Sequence, residues 1–275
     1  MALQRTAARG TRLPSNRAAR ATGAALATAA VLAATGCGLT GESRLDFTAT
    51  EKVKITSIVI GPGGSGSISV RTADIAEARI KRVVRYRGED EPGATYRLEG
   101  TVLHADTECG RMCSVSYDIE APTGVTVSGE QGSGDVTLTN VAAADVKVGS
   151  GSITLTGGAG TMVAQAGSGN IAATDLTGAL TLKTGSGDIT GHRLGGAPLV
   201  VETGNGNMDL ALDRPAAVRA HTGNGNVTLT VPQGRYQVRA TTKAGEQSLG
   251  VPNDPAAQHL LEIDTGNGNI SLTAR

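Results

Sequence analysis

One phrase recurs along this chain and leaves few folds open to it: Gly-Ser-Gly or Gly-Asn-Gly, a small polar residue, then an apolar-polar-apolar triplet. It starts at Gly132, Gly149, Gly167, Gly185, Gly204, Gly223 and Gly266, at intervals of 17, 18, 18, 19, 19 and 43 residues. A fixed period of this size marks a repeat architecture in which each unit covers the apolar face of the next. The long last interval holds a degraded copy, Lys243-Ala244-Gly245-Glu246-Gln247-Ser248-Leu249, 20 residues after Gly223 and 23 before Gly266. Read in chain order, that copy is an eighth turn lying between its two neighbours. The expectation is an all-β, single-domain β-solenoid, parallel β-helix-like, of about eight rungs with a period of about 17–20 residues across 132–275.

Within each repeat a strand-like run precedes the phrase and another follows it, so aligned positions form columns up the stack. The fourth residue after the first glycine is Val136, Ile153, Ile171, Ile189, Met208, Val227 and Ile270, an apolar column that points inward. The next residue is Thr137, Thr154, Ala172, Thr190, Asp209, Thr228 and Ser271, a column that faces water. Two residues before the first glycine stand Lys147, Gln165, Lys183, Glu202, His221 and Asp264, a second outer column that sets Lys183 beside Glu202. The paired glycines Gly132/Gly134, Gly149/Gly151, Gly167/Gly169, Gly185/Gly187, Gly204/Gly206, Gly223/Gly225 and Gly266/Gly268 read as strand-to-strand corners. Such corners need a positive φ or a close backbone approach, and the Ser, Asn and Asp around them can form side-chain ladders between rungs.

Composition agrees with a narrow aliphatic interior, since 39 glycines accompany no tryptophan, one phenylalanine and four tyrosines. From Lys52 to Gln131 the runs KITSIVI, SISV, RIKRVVRY, TYRLEGTVLH and SVSYDIEAP read as longer strands. They form an N-terminal β cap continuous with the repeats, in which Gly64-Ser65-Gly66 is an isolated first copy of the phrase.

Residues 1–36 read as a signal peptide: five arginines with no acidic residue, then a small apolar stretch too short and too rich in Ala and Gly for a membrane span. Ala34-Thr35-Gly36-Cys37 resembles a bacterial lipoprotein processing site, with Ala34 where that pattern prefers Leu. It implies lipidation of Cys37 and anchoring of the mature chain on a membrane surface. Residues 37–51 are polar and read as a lipidated tether that need not fold. Cleavage would leave 20 basic and 25 acidic residues, a net of about −5 from those counts. No basic stripe is interleaved with aromatics, which argues against nucleic acid as a partner.

Cys109 and Cys113 form a local pair that in an exported protein is most simply a disulfide. A redox pair and a zinc site with His104 are the alternatives; the first ordinarily has a two-residue spacer and the second lacks an obvious fourth ligand.

No set of residues reads as catalytic. The four histidines are scattered, no Gly-rich phrase leads into a helix as a phosphate loop would, and no cofactor or metal is expected. A carbohydrate-active enzyme on a parallel β-helix is the first alternative, and it needs acidic and basic groups brought together in one groove. Calcium-stabilised repeats are the second, although Asp follows the glycine pair only at Asp135 and Asp188.

The lipoprotein-like start, the Cys pair before SVSYDIEAP, the T-G-S/N-G-D/N phrases and the runs VPQGRYQV and VPNDPAAQHLLEIDTGNGNISL together resemble a bacterial β-solenoid family of adhesin-like envelope proteins. The resemblance covers roughly residues 50–275. It implies an all-β repeat fold at the cell envelope, a non-catalytic adhesive or scaffolding role, and an envelope protein or cell-wall polymer as partner.

Overall fold

The computed structural model describes residues 30–32, 41–88 and 91–275. Among these every regular element is a strand, and the strands form two sheets of 13 and 11 members. Removing the antiparallel Tyr96–Glu99 from the smaller sheet leaves ten parallel strands, each belonging to one level of a stack. A typical level is Ala143–Ser150 in one sheet and Ile153–Gly158 in the other, joined by the glycine corner. At about 4.8 Å per level the stack is about 45 Å long. Eight levels carry the repeat phrase from Gly132 onward or its degraded copy, and two more come from the segment before Gly132: Ser57–Ile60 with Ile68–Ala73, joined through the isolated copy Gly64-Ser65-Gly66, and Val102–Ala105 with Cys113–Pro122.

Parallel pairing keeps equivalent residues in line. Ile68, Val136, Ile153, Ile171, Ile189, Met208, Val227 and Ile270 occupy one column and are 0–1 % exposed. The column two residues on holds Val70, Leu138, Leu155, Ala173, Gly191, Leu210, Leu229 and Leu272. Where it narrows to Gly191, the chain shifts register and Leu194 moves in, so that a Cβ on Gly191 would lie 2.6 Å from the Leu194 side chain. Volume lost from one strand position is thus restored by a neighbour, as close packing demands.

The levels are not in chain order at either end. At the C-terminal end Tyr236–Ala244 and Gln247–Leu249 form the outermost level, while His259–Asn267 and Ile270–Ala274 lie between them and the level of Val218–Asn224 and Val227–Val231. The degraded copy therefore caps the stack and does not sit between Gly223 and Gly266 as chain order implies. The reason lies in the side chains: Gln247, Ser248 and Leu249 are all exposed, whereas the later copy supplies Leu261, Ile263, Ile270 and Leu272 to be covered on both sides. The N-terminal end repeats the device, with Ser57–Ile60 and Ile68–Ala73 lying between the level of Val102–Ala105 and Cys113–Pro122 and the level of Thr126–Ser133 and Val136–Thr139.

Beyond the first level the larger sheet continues antiparallel, through Ala78–Arg87 and then Glu42–Glu51. This corrects the reading of 37–51 as a tether that need not fold, for its described part: all ten residues from Glu42 to Glu51 pair with the neighbouring strand. Leu45, Phe47 and Ala49 alternate with polar residues in that segment and turn toward Val84, Arg82 and Ile80, which gives a short amphipathic strand enough apolar surface to dock. Ala30–Leu32 adds a short edge on Asp46–Thr48; the rest of the expected signal segment, with Cys37, lies outside the described residues.

The rare aromatics sit at the two ends. Phe47, Tyr86, Tyr96 and Tyr117 pack in the N-terminal cap, and Tyr236 closes the other end with its hydroxyl donating to the Pro232 carbonyl at 3.0 Å. In the cap the guanidinium of the buried Arg82 lies 4.1 Å over the Phe47 ring and donates to Thr95 Oγ1 at 2.9 Å. The Tyr96 hydroxyl donates to Glu51 at 3.1 Å, and the Tyr117 hydroxyl lies 2.5 Å from the Thr95 carbonyl oxygen.

Burial pushes the Tyr117 phenol from 10.0 up to about 12. Between those pH values the unfolded chain gives up the proton and the native state keeps it, so the native state binds more protons and stability falls as pH rises. The contribution is complete below pH 10 and lost by about pH 12, and it amounts to roughly 2–3 kcal/mol. Urea midpoints measured from pH 9 to 12 are expected to fall in step with late tyrosinate absorbance. Midpoints flat across that range would contradict the assignment.

Candidate binding groove

The corners place the site, and the two glycines of each phrase occupy different places in them. The sequence assigns both glycines to the corner, whereas in the fold only the second stands there. Gly132, Gly149, Gly167, Gly185, Gly204, Gly223 and Gly266 still belong to the strands of the smaller sheet, each one residue from its strand's end. Only Gly134, Gly151, Gly169, Gly187, Gly206, Gly225 and Gly268 stand between strands and turn the chain, with φ of 114°, 142°, 141°, 148°, 156°, 151° and 149°. L-residues rarely adopt that conformation. The first glycines need no such freedom and are required for a different reason, because a Cβ on any of them from Gly149 to Gly266 would lie 2.4–2.6 Å from the carbonyl oxygen of the matching glycine one level below. The second glycines meet the carbonyl of the level below more closely still: Gly134 that of Gly66, Gly151 that of Gly134, Gly169 that of Gly151, Gly187 that of Gly169, and Gly268 that of Gly225. In the degraded copy only this second position is kept, as Gly245 with φ 148°. The levels therefore stack backbone on backbone along a stripe with no side chains.

Three ladders flank the stripe. Thr184, Thr203, Thr222, Thr265 and Thr242 turn inward just before their corners, and their hydroxyls donate at 2.9–3.0 Å to the carbonyls of Gly169, Gly187, Gly206, Gly225 and Gly268, in each case on the adjacent level. Gln131 holds the same column position and its amide donates to the Gly66 carbonyl. These threonines satisfy carbonyls that stacking would otherwise bury unpaired, each bond contributing about 1 kcal/mol. Beyond the corner Asn170, Asp188, Asn207, Asn226 and Asn269 each accept, through a side-chain oxygen, the backbone N–H of the equivalent residue on the next level at 2.7–2.9 Å. Between the glycines, Asn224 donates to Asn205 and Asn267 to Asn224 at 2.9 and 2.7 Å.

On the outer face of the smaller sheet the stripe forms the floor of an open groove of 420 Å³, with Gly167, Gly185, Gly204 and Gly223 beneath and Lys147, Gln165, Lys183, Glu202 and His221 along one wall. Of the two glycines in each of these phrases only the first lines the groove, together with Ala166, Thr184 and Thr203; Gly134, Gly151, Gly169, Gly187, Gly206, Gly225 and Gly268 do not line it and serve the turn. The wall is the polar column two residues before the first glycine, one side chain per level. Lys183 meets Glu202 at 2.8 Å and Lys147 meets Glu130 at 3.5 Å. Both pairs are exposed and contribute under about 1 kcal/mol each, so they orient the wall more than they stabilise it. Glu202 is the one carboxylate among the described residues lining the groove.

The remaining candidate residues are dispersed. His192 lies on the outer face of the other sheet opposite Thr174, His104 approaches Glu99 at 3.4 Å, and His259 faces the Tyr236 ring at 6.4 Å between centroids. Asp135 and Asp188, the positions considered for calcium, accept the N–H groups of Ser152 and Asn207. No group of three His, Cys, Asp or Glu side chains among the described residues is arranged to hold a metal ion. Cys109 and Cys113 are brought together with a Cα separation of 5.6 Å, a span that suits a disulfide, at the turn between Val102–Ala105 and Cys113–Pro122. That turn is the corner of the first level, where the glycine phrase is absent.

The inward threonines escape a reading based on outer columns alone. Their signal is the Thr that precedes the glycines in Thr184-Gly185, Thr203-Gly204, Thr222-Gly223 and Thr265-Gly266. A buried hydroxyl beside a positive-φ corner has an obvious carbonyl to serve once the levels are stacked.

The model of the Toastrack DUF4097 family matches residues 113–273. No curated protein matches the sequence. Among solved structures, a "putative adhesin" from Bacteroides fragilis NCTC 9343 is similar with 13 % identity and a TM-score of 0.39, covering 84 % of this chain and 97 % of its own. A "putative cell adhesion protein" from Clostridium sporogenes ATCC 15579 is similar with 12 % identity and a TM-score of 0.28, covering 83 % and 99 %.

Proposed function

The chain belongs to the Toastrack DUF4097 family, and on that premise we propose that it is a non-catalytic binding or scaffolding module of the bacterial cell envelope, exported and held on the membrane by a lipidated Cys37. The observation that carries the reading is the groove, a glycine-floored channel whose wall repeats one polar side chain per level over Lys147, Gln165, Lys183, Glu202 and His221. Such a surface offers an extended partner the same kind of contact every 4.8 Å, about the rise of a single level. The lone groove carboxylate, tied to Lys183, supports binding over hydrolysis, because glycoside hydrolysis ordinarily uses two carboxylates about 5–10 Å apart. A cell-wall polymer or an extended segment of an envelope protein is the partner class that suits this surface. In the oxidising compartment the Cys109–Cys113 disulfide closes the first corner.

Co-sedimentation of the purified protein with isolated cell walls and with each wall polymer tests the reading. Binding is expected to saturate and to weaken about tenfold in a Lys183→Glu, His221→Glu double variant that unfolds at the wild-type urea midpoint. Retention of full wall binding by that variant would remove the groove from the proposal. Mass spectrometry of the mature N-terminus tests the anchor, and a terminus other than acylated Cys37 would remove it.

A further inference from the structure

The structured domain begins closer to Cys37 than a free tether would place it. Glu42 is already paired with Arg87, leaving five residues of chain, at most about 18 Å when extended. Glu42 opens onto the same pocket as Ser65, Arg85, Arg87, Met112 and Cys113, so the chain enters the fold beside the first corner. That corner ends in Arg111 and Met112, both exposed, and the Arg87 N–H bonds the Met112 carbonyl at 3.1 Å. Met112 is 70 % exposed, is one of two large apolar side chains left in water among the described residues, and holds a positive φ of 54° although it is not glycine. The other, Leu249, lies in the outermost level at the far end of the stack.

A single apolar tip on a short, clipped turn, with the exposed Arg85 and Arg87 lining the same pocket and the exposed Arg111 preceding it in the chain, has the composition of an interfacial contact: the apolar group enters the headgroup region and the cations meet lipid phosphates. Glu42 lies 3.8 Å from Arg87, an exposed pair loose enough for the guanidinium to exchange onto a phosphate. Rested on the anchoring reading, its position beside the point of chain entry gives it a bilayer to meet. We infer that the Cys109–Cys113 corner is a membrane-contact element that seats Met112 at the interface of an anionic lipid surface, with Arg85, Arg87 and Arg111 on the headgroups. It sets the direction in which the stack leaves the membrane, with the outermost level farthest from it. Each arginine adds about fivefold to the preference for anionic over neutral lipid.

Because the chain has no tryptophan, Met112→Trp and, separately, Leu249→Trp each install a single tryptophan, excited at 295 nm apart from the four tyrosines. The full-length protein carrying either change is made in cells, extracted and reconstituted in vesicles of phosphatidylglycerol and phosphatidylcholine with brominated acyl chains. The reporter at position 112 is expected to shift to the blue and to be quenched at least twofold, while the reporter at position 249 keeps the emission of an aqueous indole. Arg85→Glu with Arg87→Glu, or 1 M salt, is expected to reduce the quenching at position 112. Equal, unquenched emission from the two positions in acylated protein would overturn the inference and leave the anchor intact. The intact mass of the N-terminal peptide, taken on the same sample, reads the anchor separately. If it shows no acyl group, the unacylated protein is titrated with phosphatidylglycerol vesicles: a blue shift at position 112 supports the corner's own affinity, and no shift overturns it.

Discussion

Replacing Gly225 by alanine is expected to destabilise the protein by at least about 3 kcal/mol, combining a backbone conformation that L-residues avoid with a blocked approach between levels. The new Cβ would stand 1.9 Å from the Gly206 carbonyl oxygen, and φ is 151°. Neither cost can be relieved locally, because the Gly225 N–H is bonded to the Asn267 carbonyl and the Thr265 hydroxyl to the Gly225 carbonyl. Two controls separate the contributions. Gly223→Ala keeps the close approach, 2.5 Å to the Gly204 carbonyl, with no positive φ to violate, and Gly88→Ala meets a φ of 126° with nothing within 4 Å. Urea unfolding should rank Gly225→Ala as the most damaging of the three. A midpoint for Gly225→Ala equal to that of Gly88→Ala would show that the corner tolerates separation of its levels.

The second large effect concerns the end of the chain. Removing residues 259–275 deletes a level that lies second from the end in space, although it is last in sequence. The loss includes the wholly buried Leu261, Ile263 and Leu272 and the nearly buried Ile270, each contributing about 2 kcal/mol through burial. It also strands Tyr236–Ala244 and Gln247–Leu249, whose strand pairing is with the deleted segment. Amide exchange in the truncated protein is therefore expected to run near the unfolded rate from Tyr236 to Leu249, with protection beginning at Val218–Val231. Retained protection across 236–249 would mean that those strands can re-pair directly on the level below.

Much of the architecture was legible because a period near 18 and a strict alternation of side chains leave little freedom. The columns through Ile153, Thr154 and Lys147 can be aligned on paper, and parallel register then follows. The order of levels is a different matter. Periodicity says that Gly266 and Gly245 belong to equivalent corners, but which neighbour each one stacks on depends on how much apolar surface Leu261 and Ile263 offer compared with Val238 and Leu249. The strand at Glu42–Glu51 was hidden for a related reason. Leu45, Phe47 and Ala49 are spaced as a strand requires, yet Arg44, Asp46 and Thr48 between them give the stretch the composition of a linker. In the groove, the wall could be read from Lys147 to His221, whereas the floor exists only because stacking brings the empty sides of four glycines into line. The division of labour within each phrase was equally out of reach, since Gly149 and Gly151 look alike until the strand is seen to run through the first and stop before the second.

Out-of-order levels at both ends confine variation to the middle. Each end of the stack is closed by a level set out of chain order, the earlier level of Ser57–Ile60 lying beneath the later one of Val102–Ala105 at one end and the later level of His259–Asn267 beneath the earlier one of Tyr236–Ala244 at the other. Each closure has aromatic side chains of its own, so neither end of the stack can be lengthened without rebuilding it. Between them, from Gly149 to Gly223, the levels share one strand–corner–strand plan, and the register shift at Gly191–Leu194 is absorbed within its own level. Duplication or loss of one 18- or 19-residue unit there would move the distal tip by about 4.8 Å while leaving both closures untouched. The chain is in that sense a ruler with fixed ends and an adjustable scale, and its reach can change in whole steps without inventing a new contact.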